Sequence, residues 1–376
     1  MTLVQRPLRV LHLVTRYQRG GSEQRLRDVV AALPDAEHLV VVGADSDLEL
    51  ARSQVACPVV MDTHLVRSPR PHLDVRAVLT TRRRLRDHDA NLLVTHQSKA
   101  GVVGRLAART AGRVPVIHSL SMASFGPGYG KVESAVFRTI ERGLEPLTAR
   151  YVVVGADLAR RFEVAGVASE KLAIVRSAAT LPAPRPAAAP PVAGVPTDRP
   201  VIVSLGALED RKNPLDLVPM LERVRGVVPD AFLAVAGSGP LADDLRALVD
   251  ERGLHDDVAL LGYVSPTEPL LWQADALVLL SNAEGLPQVL IQAAAAGVPF
   301  VTYDVDGGRE VVALGAVGQV VELGDVDGAA DALARLLVRA DAIERRVDVR
   351  SWDREIIYSS YRRVVDDVVG GERGVG

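Results

Sequence analysis

The segment Ser281–Pro299, SNAEGLPQVLIQAAAAGVP, places polar side chains where they suit an anionic ligand that is rich in hydroxyl groups. Glu284 lies in a predicted loop, and the alanine-rich run behind it is a strong helix former. Pro287 has the fixed φ expected of the first helical position. The free N–H groups and the positive dipole at such a helix start favour a phosphate in front of them. The alternative is a buried helix with a capped start.

Two amides extend this pattern into the helix. Gln288 and Gln292 are four positions apart, so they share one helix face. Gly297 followed by Pro299 forms a stop signal, which predicts that the helix ends there. The segment therefore predicts a short helix with a carboxylate before its start and an amide on each of its first two turns.

A pair of cations stands in the segment EDRKN, Glu209–Asn213, directly after a predicted strand. Arg211 and Lys212 at the carboxyl end of a strand can bind a diphosphate and offset the charge of a leaving group. The alternative is a surface turn that caps the next helix.

Two histidines, His96 and His118, each lie at the end of a predicted strand in the first half of the chain. Ligands of open α/β sheets bind outside the carboxyl ends of the strands. A single histidine in such a place is also commonly structural, so both interpretations stay open.

Two glycine-rich turns also follow strands. Gly20 and Gly21 open the first helix, where paired glycines let the backbone approach a phosphate. Gly237-Ser-Gly239-Pro-Leu-Ala242 imitates the dinucleotide fingerprint and so suggests a nicotinamide-dependent oxidoreductase as a rival class. That fingerprint needs an acid at the end of the next strand, whereas Asp257 lies at its start. An ordinary strand-to-helix turn is the alternative for the Gly20-Gly21 segment.

The elements that position these residues follow an alternating pattern. Short β-branched runs alternate with longer amphipathic stretches, which predicts parallel α/β architecture. The predicted strands are Arg9–Val14, His38–Val42, Asn91–Thr95, Val114–His118, Tyr151–Val154, Val201–Ser204, Ala231–Ala236, Val258–Leu261, Ala276–Leu280 and Pro299–Tyr303.

A proline-rich segment divides the two series of strands. It holds seven prolines in residues 182–200, cannot pair within a central sheet and is predicted to be a linker. We expect an N-terminal domain over residues 1–181 and a C-terminal domain over 201–355, both doubly wound and facing one cleft. A last helix, assigned to residues 356–376, would pack on either domain, with the N-terminal one as one option.

Composition narrows the class of protein. A net charge of −3 over 376 residues argues against a general nucleic-acid binder. The single cysteine, Cys57, excludes an intramolecular disulfide and a cysteine zinc cluster, and it indicates a reducing, cytoplasmic location. The N-terminal residues 1–17 resemble a first strand more than a signal peptide. No apolar run reaches the roughly 18 residues of a membrane-spanning helix.

Two charged patterns carry weaker signals. The arginines 76, 82, 83, 84 and 86 predict a solvated helix face, with contact to a membrane surface as the alternative. Short acidic pairs have no second cluster of ligands beside them, so no metal is predicted. These pairs are Asp45/Asp47, Asp87/Asp89, Asp304/Asp306 and Asp325/Asp327.

Taken in order along nearly the whole chain, these motifs resemble glycosyltransferase family 4, the retaining nucleotide-sugar transferases with the GT-B fold. That fold has two Rossmann-like domains with a cleft between them. The matching segments are RGGSE at 19–23, THQSKAGVVGRLAART at 95–110, VVVGADLARRFEVAGVASEKLAIV at 152–175, RKN at 211–213, VAGSGPL at 235–241, EGLPQVLIQAAAAGVP at 284–299 and DVDGGREVV at 304–312.

The resemblance implies a role for each matching residue. Glu284 would bind hydroxyls of the donor sugar, Lys212 would neutralise the departing phosphate, and His96 would face the transferred sugar. The donor-binding residues that it implies are Gly20, Gly21, Arg211, Gly237, Gly239, Tyr263, Gly285, Leu286, Pro287, Gln288 and Gln292. Residues near the acceptor would be His118, Ser121 and Tyr129, with the glycine-rich loop Met122–Lys131 shaping the choice of acceptor.

Three positions depart from the family pattern. Gln292 stands where the family has a second Glu that holds ribose hydroxyls; an amide keeps one acceptor and adds two donors. Ala207 stands where relatives often have Arg, so Arg211 would take over part of that phosphate contact. Ser121 stands where relatives often have a second His.

The resemblance implies a retaining glycosyltransferase that needs neither a metal nor a cofactor. The donor phosphate would accept the acceptor's proton during front-face displacement. The acceptor would be a glycan, a lipid-linked sugar or a natural product, and the sequence indicates neither the donor nor the oligomeric state. The alternative is a catalytically degenerate nucleotide-sugar-binding or regulatory protein of the same fold.

Overall fold

The chain forms two compact units in a computed structural model that describes residues 7–18, 22–126, 128–179, 181–183, 185–186, 189–338 and 349–371. One unit comprises Met1–Ala178 and Arg350–Gly376, and the other comprises Ala179–Val349. Each unit is a parallel sheet with helices between its strands. The α/β, Rossmann-like class predicted from the alternating pattern is therefore confirmed.

The sheet of the first unit has seven strands in the order β3-β2-β1-β4-β5-β6-β7. The strands are β1 (Arg9–Val14), β2 (Glu37–Gly43), β3 (Val59–Asp62), β4 (Leu92–His96), β5 (Val116–Leu120), β6 (Arg150–Val153) and β7 (Leu172–Ile174). The helices between them are α1 (Ser22–Ala32), α2 (Leu48–Gln54), α3 (Pro71–Asp87), α4 (Ser98–Ala111), α5 (Lys131–Leu144) and α6 (Ala156–Val164).

The sheet of the second unit has six strands in the order β10-β9-β8-β11-β12-β13. The strands are β8 (Val201–Leu205), β9 (Phe232–Ala236), β10 (Val258–Gly262), β11 (Ala276–Leu279), β12 (Phe300–Tyr303) and β13 (Gly318–Val321). The helices are α7 (Leu217–Arg225), α8 (Ala242–Glu251), α9 (Glu268–Gln273), α10 (Gln288–Ala296), α11 (Gly308–Ala313) and α12 (Val326–Val338).

Every strand predicted from the sequence is present, with ends that differ by at most two residues. The edge strands β3, β7 and β13 were not predicted. Each has only three or four residues, and β7 and β13 have no fully buried residue. Edge strands this short and this solvated lack the continuous apolar run by which a central parallel strand is recognised.

The strand order reverses once in each sheet, and this decides where ligands bind. In the first sheet the reversal lies between β1 and β4, and in the second between β8 and β11. The loops after two such strands run to opposite faces of the sheet and leave a crevice between them. His96 ends β4, and the loops after β8 and β11 carry Lys212 and Glu284.

The last helix, α13 (Arg354–Gly371), belongs to the first unit and packs against α1. Ile357 and Tyr361 are buried in the same apolar cluster as Val10 of β1. Trp352 lies just before the helix and is buried, and the guanidinium of Arg176 stacks 4.9 Å from the centre of its ring. The C-terminal segment thus completes the core of the first unit.

The proline-rich segment lies within the second unit. Trp272 Nε1 donates a hydrogen bond to the carbonyl of Ala183 over 2.9 Å, and Gln273 Nε2 donates to that of Pro190 over 2.8 Å. Both donors are in α9, so this helix fixes the course of the segment.

Two adjacent isoleucines of α13 test how much the helix contributes to stability. Ile357 is 2 % exposed and Ile356 is 47 % exposed. We expect Ile357→Ala to lower the free energy of unfolding by about 2–5 kcal/mol because it leaves a cavity. Ile356→Ala should change it by less than about 0.5 kcal/mol. Urea unfolding measures both variants, and equal effects would contradict the packing described for α13.

Candidate functional site

Glu284, Arg211 and Lys212 form one ionic group, called here the carboxylate–cation cluster. The carboxylate follows β11, and both cations lie in a 3₁₀ turn after β8, at the strand reversal of the second sheet. Lys212 Nζ and Arg211 Nη1 both donate to Glu284 Oε1, the latter over 3.3 Å. Arg211 also donates to the carbonyl of Ala283 over 3.0 Å and to Glu209 Oε1 over 2.9 Å.

The Glu284 carboxyl is ionised in this setting. Its side chain is only 10 % exposed, and burial by itself raises the pKa of the group. The charges of Lys212 and Arg211 outweigh that effect, so the pKa lies below its usual value. An ionised carboxylate only accepts hydrogen bonds, which suits a ligand rich in hydroxyl groups.

Helix α10 starts one residue later than the sequence predicts. Pro287 has φ −66° but an extended ψ of 112°, so it caps the helix and Gln288 is the first helical residue. The prediction of Pro287 as that first residue was wrong, because a fixed φ does not determine ψ. The predicted stop is confirmed, since Gly297 adopts the left-handed conformation with φ 74°.

Gln288 adds an unsatisfied acceptor at this helix start. Its side-chain Oε1 is buried, and no donor among the described residues reaches it. A buried acceptor without a partner costs about 1–3 kcal/mol, so a ligand that donates a hydrogen bond there would stabilise the site. Gln292 lies one turn further along α10 and is half-buried.

Gly307 was missed as a site residue and supports the loop before α10. It has φ 83°, and a Cβ there would lie 2.8 Å from Leu286 Cα and 2.9 Å from the carbonyl oxygen of Gly285. The second glycine-pair segment of the chain, DGG, was the signal that could have identified it. A side chain at this position would push the Gly285–Pro287 backbone out of place.

The glycines of the turn after β9 serve the protein's own packing. A Cβ on Gly237 would lie 1.7 Å from the carbonyl oxygen of Gly206, and one on Gly239 would lie 2.3 Å from that of Leu208. Gly237 N also donates to the carbonyl of Gly262 over 2.7 Å. Close contact between two loops thus accounts for the G-x-G pattern. Tyr263 follows β10 beside this turn and is 64 % exposed.

Asp257 has a structural role, so it is not available to bind the ribose of a nicotinamide cofactor. Its Oδ1 accepts from Arg199 Nη2 over 2.5 Å and from Arg225 Nη1 over 2.8 Å. It also lies before β10, at the amino end of the strand, whereas cofactors bind at carboxyl ends.

His96 ends β4 at the strand reversal of the first sheet and is 4 % exposed. The next residue, Gln97, has φ 70°. Its side-chain amide holds the loop after β1 through hydrogen bonds to the backbone N–H and the backbone carbonyl of Arg16. Gln97 Nε2 donates to the Arg16 carbonyl over 3.0 Å, and Gln97 Oε1 accepts from the Arg16 N–H over 3.2 Å. His96 is thereby fixed beside that loop, whose Gly20 and Gly21 lie outside the described residues.

Two further histidines, His12 and His38, extend a row of rings from His96 across the sheet. Neither was predicted from the sequence. His96 Nε2 lies 3.4 Å from His12 Nδ1, and His12 Nε2 lies 2.9 Å from His38 Nδ1. His38 Nε2 is 2.9 Å from the carbonyl oxygen of Leu33. The three rings, called here the histidine row, cross β4, β1 and β2 diagonally on one sheet face. Their alignment depends on strand register, which the sequence does not display.

The rings of the histidine row are neutral at physiological pH. Burial lowers the pKa of His96 to about 3, and the charge of Arg25 adds to the effect. Burial, together with its histidine neighbours, lowers the pKa of His12 well below its usual value. Burial also lowers the pKa of His38.

The three predicted acceptor residues lie in different settings. The His118 ring is fully buried, 2.8 Å from the Thr95 hydroxyl, and a Cβ on Gly101 would lie 2.3 Å from it. Ser121 follows β5 and is half-buried. Tyr129, also half-buried, lies in the loop before α5. The structure therefore gives His118 a packing role, whereas the other two lie nearer the surface.

The arginine-rich face of α3 is tied to its neighbours. Arg82 and Arg86 donate to the carbonyl of Thr110, over 3.0 and 3.2 Å. Arg84 forms an ion pair with buried Asp62. Among the residues that the structure describes, no helix has the length and apolar content to cross a bilayer. The same residues contain no group of His, Cys, Asp or Glu side chains arranged to hold a metal ion.

Comparison with known proteins identifies the family. The model of the glycosyl transferase 4-like domain matches residues 20–178, and that of the glycosyl transferases group 1 matches residues 188–350. The GDP-mannose-dependent α-(1-6)-phosphatidylinositol monomannoside mannosyltransferase of Mycobacterium tuberculosis is 29% identical over 368 residues, 92% of each chain. The UDP-Gal:α-D-GlcNAc-diphosphoundecaprenol α-1,3-galactosyltransferase of Escherichia coli is 25% identical over 272 residues, 70% of each.

The solved structures agree on the fold. HepE of Anabaena in complex with UDP-glucose superposes with a TM-score of 0.71 at 18% identity, covering 96% of this chain and 100% of that one. The two Rossmann-like sheets, each with one strand reversal, together with this superposition assign the chain to the GT-B fold class. The chain belongs to the family 4-like glycosyltransferases within that class.

The buried histidines make stability depend on pH. The folded chain keeps His12, His96 and His118 neutral, because their pKa values lie well below 6.5. In the unfolded chain these histidines bind protons below about pH 6.5, whereas in the folded chain they do not. The free energy of unfolding therefore decreases as the pH drops. We expect full stability above pH 6.5 and a loss of ~2 kcal/mol from His96 alone at pH 5.

Urea unfolding at pH 7.5, 6.5 and 5.0 measures this loss. His118→Asn should reduce the slope of stability against pH, since it removes one buried ring. A free energy of unfolding that is constant over this range would contradict the neutral state of these rings.

Proposed function

We propose that this protein transfers a sugar from a nucleoside diphosphate to a glycan or lipid-linked acceptor. The observation that carries the proposal is the carboxylate–cation cluster, which lies at a strand reversal beside the start of α10. The names of two relatives point the same way, since one is a GDP-mannose-dependent mannosyltransferase and the other a UDP-Gal-dependent galactosyltransferase.

Lys212 and Arg211 are proposed to bind the diphosphate of the donor. The ammonium of Lys212 has three N–H donors, so it can keep its bond to Glu284 and still donate to a phosphate oxygen. Without a ligand, Glu284 and Glu209 balance the two cations. Charge that develops on the departing phosphate would then draw the cations toward it, which lowers the barrier.

Glu284 is proposed to accept hydrogen bonds from hydroxyls of the transferred sugar. Its bonds to two cations disperse the charge on Oε1, which makes it a weak nucleophile. That supports the family's front-face displacement, in which anomeric configuration is retained and the donor phosphate takes the acceptor's proton. The residues require no metal for this step, since Lys212 and Arg211 supply positive charge at the phosphate.

The remaining roles follow the family resemblance. The backbone at Gly285–Pro287 and the N–H groups that start α10 would lie against the sugar and phosphates. Gln288 and Gln292, on one face of α10, would bind hydroxyls of the donor, and Tyr263 would border the nucleoside. In the first unit, His96 would contact the transferred sugar, and Ser121 and Tyr129 would lie near the acceptor.

A binding protein without transfer activity is the second candidate. Ala207 is exposed and supplies no guanidinium, and Arg211 is already engaged with Glu284 and Glu209. Gln292 in place of a carboxylate also weakens the hold on ribose hydroxyls. Calorimetric binding of a nucleotide sugar, with no turnover for any acceptor tried, would favour this candidate over the enzyme.

Turnover of a panel of nucleotide sugars tests the role of Glu284. With the donor that the wild type uses, Glu284→Ala should lower kcat/KM by roughly 10- to 150-fold, because a charged hydrogen bond is lost. Glu251→Ala is the matched control, since Glu251 is an exposed carboxylate on α8 of the same unit. It should leave kcat/KM unchanged, and equal turnover by both variants would remove Glu284 from the mechanism.

A further inference from the structure

The direction of every hydrogen bond in the histidine row is fixed from one end. The carbonyl oxygen of Leu33 can only accept, so His38 Nε2 must carry a proton and donate across 2.9 Å. A neutral imidazole has only one N–H, which leaves His38 Nδ1 as an acceptor. His12 Nε2, which lies 2.9 Å from that atom, must therefore donate to it.

The same logic passes one ring further to His96. Since His12 donates through Nε2, its Nδ1 is an acceptor, and the atom that faces it across 3.4 Å is His96 Nε2. His96 Nε2 therefore carries the proton of that ring. Its Nδ1 keeps a lone pair, and no group in the described part of the chain bonds to this atom.

We propose that His12 and His38 are positioning residues that hold His96 as the Nε2–H tautomer, so that its Nδ1 accepts a hydrogen bond from a hydroxyl of the transferred sugar. The contact with the sugar rests on the proposed function, whereas the tautomer follows from the row itself. His12 and His38 act only through His96, because His12 is fully buried and His38 is 8 % exposed.

This arrangement makes His96 selective for a donor group on the ligand. A neutral ring without a proton on Nδ1 accepts a hydrogen bond from a hydroxyl and repels a carbonyl oxygen at the same place. Sites built around one hydrogen bond reject ligands that cannot make it, because a buried polar group is left unpaired. The nearby guanidinium of Arg25, which is fully buried, also disfavours a charged ring at His96.

A purely structural role for the row is the competing explanation. Three polar rings inside a sheet need partners, and bonds among themselves would satisfy them without any effect on a ligand. If the row has only this role, the surroundings of the His96 ring set its tautomer, which should then stay the same when Phe replaces His12. The tautomer is therefore the readout that separates the two explanations.

Nitrogen-15 NMR of the full chain with labelled histidines gives this readout without any ligand. Two-bond proton–nitrogen correlations at pH 7.5 distinguish a ring nitrogen that carries a proton from one with a lone pair. His→Phe variants assign the signals. In the wild type we expect Nε2–H for His38, His12 and His96. In His12→Phe, the ratio of Nε2–H to Nδ1–H at His96 should fall at least fivefold.

Val10→Ala is the matched control, because Val10 is fully buried on the same strand and the same sheet face as His12. It should keep the wild-type tautomers although it removes apolar contacts. Nδ1–H at His96 in the wild type overturns the proposal, and so does an unchanged tautomer in His12→Phe. If His12→Phe does not fold, the wild-type spectrum still tests the predicted tautomer, because Nδ1–H at His96 overturns the proposal and Nε2–H supports it.

Failure of this inference is distinguishable from failure of the proposed function. The spectra are recorded on the free protein, so they do not depend on sugar transfer. A chain with the expected tautomers and no turnover would contradict the function alone. A chain with turnover and Nδ1–H at His96 would contradict only the positioning role proposed for His12 and His38.

Discussion

The reversal of strand order in each parallel sheet is the constraint on which the rest of this structure depends. In a doubly wound sheet, neighbouring loops at the reversal run to opposite faces, and the crevice between them is open to ligands. The loops after β8 and β11 flank that crevice in the second unit, which brings Lys212 to Glu284 although they are 72 residues apart. In the first unit, His96 and the loop after β1 occupy the equivalent place.

The two units keep a buried titratable side chain in different charge states: Glu284 in the second unit is ionised, and His96 in the first unit is neutral. Glu284 is kept charged by two cations, which lower its pKa despite burial. His96 is kept neutral by burial and by the charge of neighbouring Arg25. A charged acceptor beside two cations suits a ligand that carries both phosphate and hydroxyl groups. A neutral acceptor suits a hydroxyl group alone.

Much of this arrangement follows from the sequence for identifiable reasons. Central strands such as β9 and β11 are continuous apolar runs, so their positions were predicted well. Edge strands such as β13 are short and partly solvated, so they were not. Glu284, Arg211 and Lys212 were predicted because charged residues and glycines that follow a strand can be recognised in the sequence itself. His12 and His38 were missed, because a diagonal contact across three strands depends on register.

Some predicted details needed three-dimensional geometry for correction. The G-x-G turn after β9 imitates a dinucleotide fingerprint, and Gly237 and Gly239 let two loops of the protein approach each other. Their place beside the donor nucleoside stays a prediction. Pro287 looked like the first helical residue and is instead the cap.

The central claim is that the carboxylate–cation cluster binds the diphosphate of a nucleotide. Calorimetric titration of UDP, GDP, ADP and CDP into the wild type and into Lys212→Met tests it most directly, because methionine keeps the side-chain length and removes the charge. We expect at least one of these nucleotides to bind the wild type and to bind the variant roughly 10- to 150-fold more weakly. Equal affinity of the two proteins for that nucleotide would contradict the claim.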